Sequence, residues 1–204
     1  MAMEKEKRSF GSILANFWYY HKWHTFAVIF VVFTLAVCLS QCISSESADY
    51  TVGVYLNRAV TSNETDLMEK VLEKYGKDVN GDGKVVVEIY NFSYKQSDTY
   101  TQEGESQKTR LNTELAAGEI MLLITDDYRM KEFERLEIVS DELFTLSENG
   151  SLYAQLEGVL SREEMSFFIR KTEGYNVMKV GDAEERLAAN RELYAALEKA
   201  NSEK

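Results

Sequence analysis

The first pattern along the chain is unbroken hydrophobicity. Residues 26–39 read FAVIFVVFTLAVCL and contain nothing more polar than Thr34 and Cys38. Wound as a helix at about 1.5 Å per residue, the stretch 25–42 reaches roughly 27 Å, close to the thickness of a bilayer's hydrocarbon core. This predicts a transmembrane anchor over 25–43, with a tail over 1–24 before it and a linker over 44–49 after it. Beyond the linker the periods become those of a folded domain, expected over 50–200, with 201–204 as a frayed tail.

Within that domain, residues 50–56 (YTVGVYL) alternate and are rich in β-formers, which predicts a first strand. Thr61 and Glu64 stand at capping-box spacing, and Leu67, Met68, Val71, Leu72 and Tyr75 form one helical stripe ended by Gly76. A second strand follows over 85–92, VVVEIYNF. Residues 93–105 are polar and read as a loop, before a helix over 107–117 that Gly118 terminates. The run 120–125 (IMLLIT) is apolar throughout, as a strand covered on both faces would be. Helices alternating with strands predict an α/β domain with a mostly parallel sheet flanked by helices. Past Tyr128 the pattern weakens. Phe133, Leu136, Leu143 and Phe144 read as short helical pieces, residues 148–150 as a turn and 165–172 as a late strand. A final helix over 183–200 is headed by Asp182 and Glu185.

Charge orients the anchor. The tail carries Lys5, Lys7, Arg8 and Lys22 against Glu4 and Glu6, whereas the first residues past the span carry Glu46 and Asp49. The positive-inside rule then places the N-terminus in the cytoplasm and the domain outside the cell membrane. Phe17, Trp18, Tyr19, Tyr20 and Trp23 suit an interfacial aromatic belt; a docking motif for a cytoplasmic partner is the other reading. Signal-peptide cleavage has only a loose site at residues 45–48, and lipidation of Cys42 or Cys38 lacks a small residue before the cysteine. An uncleaved signal anchor fits better.

Composition narrows the chemistry. The whole chain has a net charge of −11 and the tail is net positive, so the outer part is more acidic still. That disfavours nucleic acid as a partner. No cysteine follows Cys42 and no histidine follows His24, which excludes Ser-His-Asp and Cys-His nucleophilic sites and the usual zinc centres from the domain.

Two sets of residues remain as candidates. Ligands of parallel sheets gather beyond the carboxyl ends of the strands. Those ends carry Asn57 and Arg58, then Asn91, Ser93 and Tyr94, then Thr125, Asp126, Asp127 and Tyr128. They suit a small polar ligand or a protein loop, and equally solvated turns. Asp126 and Asp127 are adjacent and do not converge as an acid/base pair, so hydrolase chemistry on envelope polymers is the least supported reading. The second set is DVNGDGK, residues 78–84. It offers Asp78, Asn80, Asp82 and the Lys84 carbonyl at positions 1, 3, 5 and 7 of a calcium loop. Position 12 is Ile89, and only Glu88 beside it brings an acid, so weak Ca²⁺ binding or a metal-free turn are the two alternatives. No other cofactor is expected.

The run TRLNTELAAGE followed by IMLLITDD resembles a segment in the first lobe of bacterial extracellular solute-binding proteins of the two-lobed periplasmic type. There a helix ending in Ala-Ala-Gly leads into a buried strand and an acidic turn. NFWYYHKWHT before a single span, with DVNGDGK further on, is also similar to small membrane-anchored proteins of Clostridia and related Firmicutes. Ile120-Met121 stands where solute-binding proteins usually carry Pro-Asp, and residues 128–164 are too few for a second lobe. The resemblance implies a solute-binding-protein-like single lobe. The expected function is a membrane-anchored, non-enzymatic binding or interaction module, accessory to a transporter or another envelope complex. A purely structural subunit of a membrane assembly is the alternative.

Overall fold

The computed structural model describes residues 10–44, 48–159, 165–172 and 182–203. The chain divides into two compact units, Met1–Glu46 and Ser47–Lys204. In the first, α1 (Phe10–Ser44) is one helix of 35 residues. It is long and apolar enough to cross a membrane over Trp18–Cys38, a stretch of mean hydropathy 1.5 with none of it buried. The helix begins well inside the expected tail. Its two threonines turn inward: Thr25 and Thr34 donate to the carbonyls of His21 and Phe30 at 3.0 and 2.9 Å. A hydroxyl satisfied this way leaves the helix surface apolar.

The second unit is α/β. Its strands are β1 (Tyr50–Tyr55), β2 (Val87–Asn91), β3 (Leu122–Asp126), β4 (Val139–Thr145) and β5 (Met165–Arg170). Its helices are α2 (Ser62–Glu73), α3 (Gln102–Ala117), α4 (Asp127–Arg135), α5 (Ser151–Gln155) and α6 (Ala183–Ser202). The sheet order is β2-β1-β3-β5-β4. β1 pairs in parallel with β2 and β3, while β5 runs antiparallel to both β3 and β4. The expected mostly parallel sheet is therefore a mixed one. The alternation of helices and strands holds only as far as β3. After it the chain runs to the far edge as β4 and returns as β5, which inserts beside β3 in the opposite sense.

β3 lies at the centre, and its apolar run has the predicted cause. Leu122 and Ile124 join the core under α2 and α6, while Leu123 joins the core under α3 and α4. Phe167 and Phe168 divide in the same way: Phe167 stacks on Phe144 at 5.0 Å on one face, and Phe168 meets Phe133 at 5.3 Å on the other.

Local rules hold at several joints. The Thr61–Glu64 capping box opens α2, and Gly118 closes α3 in a left-handed conformation, φ 75°. Four expectations need correction. Leu143 and Phe144 lie on strand β4, not on helical pieces. A register irregularity between Val139 and Leu143, bridged by the Ser140 hydroxyl bonded to the Ile169 carbonyl, interrupts the alternation that would have marked a strand. α3 starts at Gln102 rather than 107, capped by Thr101, whose hydroxyl accepts from the Gly104 amide at 3.2 Å. Asp49, assigned to the linker, is 8% exposed and its carboxylate accepts from the amides of Val79, Asn80 and Val86. Asn201 does not fray: its side chain accepts from the Ser147 amide and donates to the Thr145 carbonyl.

Candidate functional site

The residues at the strand ends do come together, but mostly to hold one another. Asp126 ends β3 and caps α4: one carboxylate oxygen accepts from the Arg129 amide at 2.8 Å, the other from the Asn57 amide at 2.6 Å. The Asn57 side-chain oxygen accepts in turn from the Gln96 amide at 2.7 Å. Ser93 accepts from the Leu56 amide at 3.0 Å, and the Asn91 side chain bridges the Val60 carbonyl and the Ser93 amide. Thr125, fully buried, donates to the Tyr55 carbonyl. Arg58 pairs with Glu64 of the capping box at 2.8 Å. Groups spent on tying three loops together are not presented to a ligand. Asp127 is exposed and outside this network.

Beside the network lies an open cleft of about 840 Å³ between the 94–100 segment, α3 and α4, and of the nine strand-end candidates only Tyr94 and Tyr128, the latter on α4, contribute to it. Its centre is Arg129, which sequence reasoning missed. The guanidinium is 2% exposed and lies 4.3 Å from the ring centres of both Tyr55 and Tyr94. It donates to the Tyr94 carbonyl at 2.8 Å and to Glu132 at 3.3 Å. An arginine can be buried this way because its planar, weakly hydrated cation finds two π faces in place of water.

Glu132 gathers the surrounding charge. It accepts from the Tyr55 hydroxyl at 3.1 Å and pairs with Lys108 at 3.2 Å. Burial pushes its carboxyl up, but hydrogen bonds from Lys108 and Tyr55 and the charges of Lys108 and Arg129 outweigh this and hold it below its ordinary value. Tyr55 moves the other way: burial first, then the hydrogen bond with Tyr94, raises its hydroxyl far above the usual range and keeps it neutral. A signal for this site did exist. Tyr128, Lys131, Glu132 and Arg135 recur at i, i+3, i+4 and i+7, one face of a helix, and all four line the cleft.

The calcium-like loop is closed on itself. Both oxygens of Asp78 accept loop amides, from Gly81 and Gly83, while Asn80 accepts from Asp82 and Asp82 from Lys84. Gly81 and Gly83 take the left-handed backbone this needs, with φ of 76° and 87°. Glu88 is exposed on β2. Among the described residues no three His, Cys, Asp or Glu side chains are grouped to hold a metal ion. Compared with protein families, with curated proteins and with solved structures, the chain matches none.

Proposed function

We propose that this protein is a membrane-anchored binding module. In this reading α1 spans the bilayer with its N-terminus in the cytoplasm, and the α/β domain lies outside, similar to one lobe of a solute-binding protein and accessory to a transporter or another envelope complex. The observation that carries the reading is the open cleft over Arg129 at the carboxyl ends of β1 and β3, the position where α/β sheets take ligands. Catalysis is not part of it. Glu132, the carboxylate at the cleft, is drawn below its ordinary pKa and occupied by three partners, so it is poorly placed to take a proton from a substrate. A purely structural role has one observation in its favour, the mutual saturation of the strand-end residues.

Two measurements decide between these readings. Protease added to intact spheroplasts should remove the domain and leave the tail protected; a protected domain overturns the topology. Thermal unfolding of the full chain in detergent, against sugars, amino acids and peptides, should show a saturable rise in Tm with at least one class, because a ligand that binds only the folded state stabilises it by mass action. Indifference to every class leaves the structural role.

A further inference from the structure

The cleft has a sign and a surface chemistry of its own. Lys108, Arg129, Lys131 and Arg135 line it against Glu132 and Glu134, on a chain whose net charge is −11. Lys108 and Arg129 share Glu132. Lys131 and Arg135 enter no ion pair among the described residues, and the buried Nε of Arg129 has no hydrogen-bond partner. A concave, net-positive patch on an otherwise acidic protein focuses potential on anions and draws them to that point.

The rest of the lining narrows the anion. Among the described residues no Leu, Ile, Val, Met or Phe lines the cleft, and the rings of Tyr94, Tyr100 and Tyr128 give it an aromatic surface. Tyr100 is 92% and Tyr128 45% exposed, so both rings offer free surface at the rim. Gln96 and Thr99 add an amide and a hydroxyl. A peptide anchored by an apolar residue finds no pocket here. A ring that stacks on an aromatic face, carries hydroxyls and bears an acid group finds each of its needs met. At about 840 Å³ the cleft falls in the usual range of small-molecule sites.

We propose that the cleft binds an acidic saccharide, a sugar ring stacked on Tyr128 or Tyr100 with its carboxylate or phosphate held by Lys131 and Arg135 above Arg129. This rests on the cleft being the binding site proposed above, and it names the ligand class.

The test is calorimetric titration of the full chain in a polyoxyethylene detergent with glucuronate, glucose 6-phosphate, glucose and inorganic phosphate. At least one acidic sugar should bind about tenfold tighter than glucose or phosphate, which is a difference of about 1.4 kcal/mol. Raising NaCl from about 50 to about 300 mM should weaken it severalfold, as the Debye length shortens. The double variant Lys131→Gln, Arg135→Gln changes two exposed side chains and should lose most of the binding with Tm unchanged, and Tyr128→Ala or Tyr100→Ala should weaken whichever acidic sugar binds. Whichever acid group binds tighter identifies the class. Glucose binding as well as glucuronate, phosphate binding as well as glucose 6-phosphate, or acidic-sugar binding unaffected by the double variant each overturns the inference. If neutral sugars or peptides bind and Tyr128→Ala weakens them, the acidic-saccharide assignment falls while the cleft stands as the site; if nothing of any class binds, both fall.

Discussion

The two faces of the sheet share the same strands and enclose different things. Under α2 and α6 lie Val52, Val54, Leu122, Ile124, Phe167 and Ile169, packed on Met68, Leu72, Leu187 and Leu197. Under α3 and α4 lie Tyr55, Phe92, Leu123, Phe133 and Phe168, and at the margins of that core sit two buried arginines. Arg129 rests on Tyr55 and Tyr94, and Arg170 donates to the Leu115 carbonyl at the end of α3. Among the described residues the first face buries no arginine or lysine, though Asn190 of α6 and the rings of Tyr50 and Tyr194 lie within it, and it serves as scaffold. Both cores contain aromatic rings, but on the second Tyr55 and Tyr94 flank a buried guanidinium, and rings can stabilise a cation as well as exclude water, so the cleft is built against this face.

The largest effects should come from asking whether both faces are equally dry. Leu122→Ala and Leu123→Ala remove neighbouring side chains that are 0% exposed on opposite faces. Each should cost about 2–5 kcal/mol in denaturant unfolding, the usual range for a core truncation. A marked asymmetry would mean that one face is no core at all.

Next come the joints that hold the cleft's floor. Asp126→Ala removes the cap of α4 and the acceptor for Asn57 at once, and should cost about 1–3 kcal/mol. Asp127→Ala, one residue on and exposed, should leave the unfolding midpoint where it was. Equal effects from the two would show the network to be decorative.

A smaller effect is confined to acid. The carboxyl of Glu132 lies below its ordinary value of 4.5 in the folded protein, so the stability it contributes is present above that pH and is lost as pH falls through the depressed value. Glu132→Gln should therefore flatten the acid limb of the Tm–pH curve below about pH 4.5, while wild type falls more steeply. Parallel curves would remove Glu132 from the electrostatics of the cleft.

The smallest expected effect is none. About 10 mM Ca²⁺ should leave Tm unchanged, since the side-chain oxygens of the 78–84 loop already accept its own amides and no acid stands at position 12, where a calcium loop draws its bidentate ligand. A rise of several degrees, abolished by Asp82→Ala, would make the loop a cation site and shift attention to the β2 edge of the domain.

Much of the fold was legible because it rests on short-range rules. The apolar helix, the capping box at Thr61, the stop at Gly118, the doubly covered run in β3 and the turn before α5 each depend on residues a few positions apart. The site was legible only in outline. The strand-end residues were found, yet their polar groups turned out to serve one another, and Arg129 lay in the stretch whose pattern looked weakest. β4 escaped because an edge strand with an irregular register has neither the alternation of a half-buried strand nor the length of a helix.

By itself the sequence determined an apolar helix followed by an acidic α/β domain without histidine or cysteine, because hydrophobic period, capping and composition are local properties of the chain. Only the tertiary structure decided that β5 inserts antiparallel between β3 and β4, that Asn201 returns to Ser147 and Thr145, and that Arg129 finds Tyr55 and Tyr94. Such partners stand 21 to 74 positions apart in the chain. Which of the many possible distant pairs forms is settled by the joint packing of the two cores, and no window of the sequence contains it.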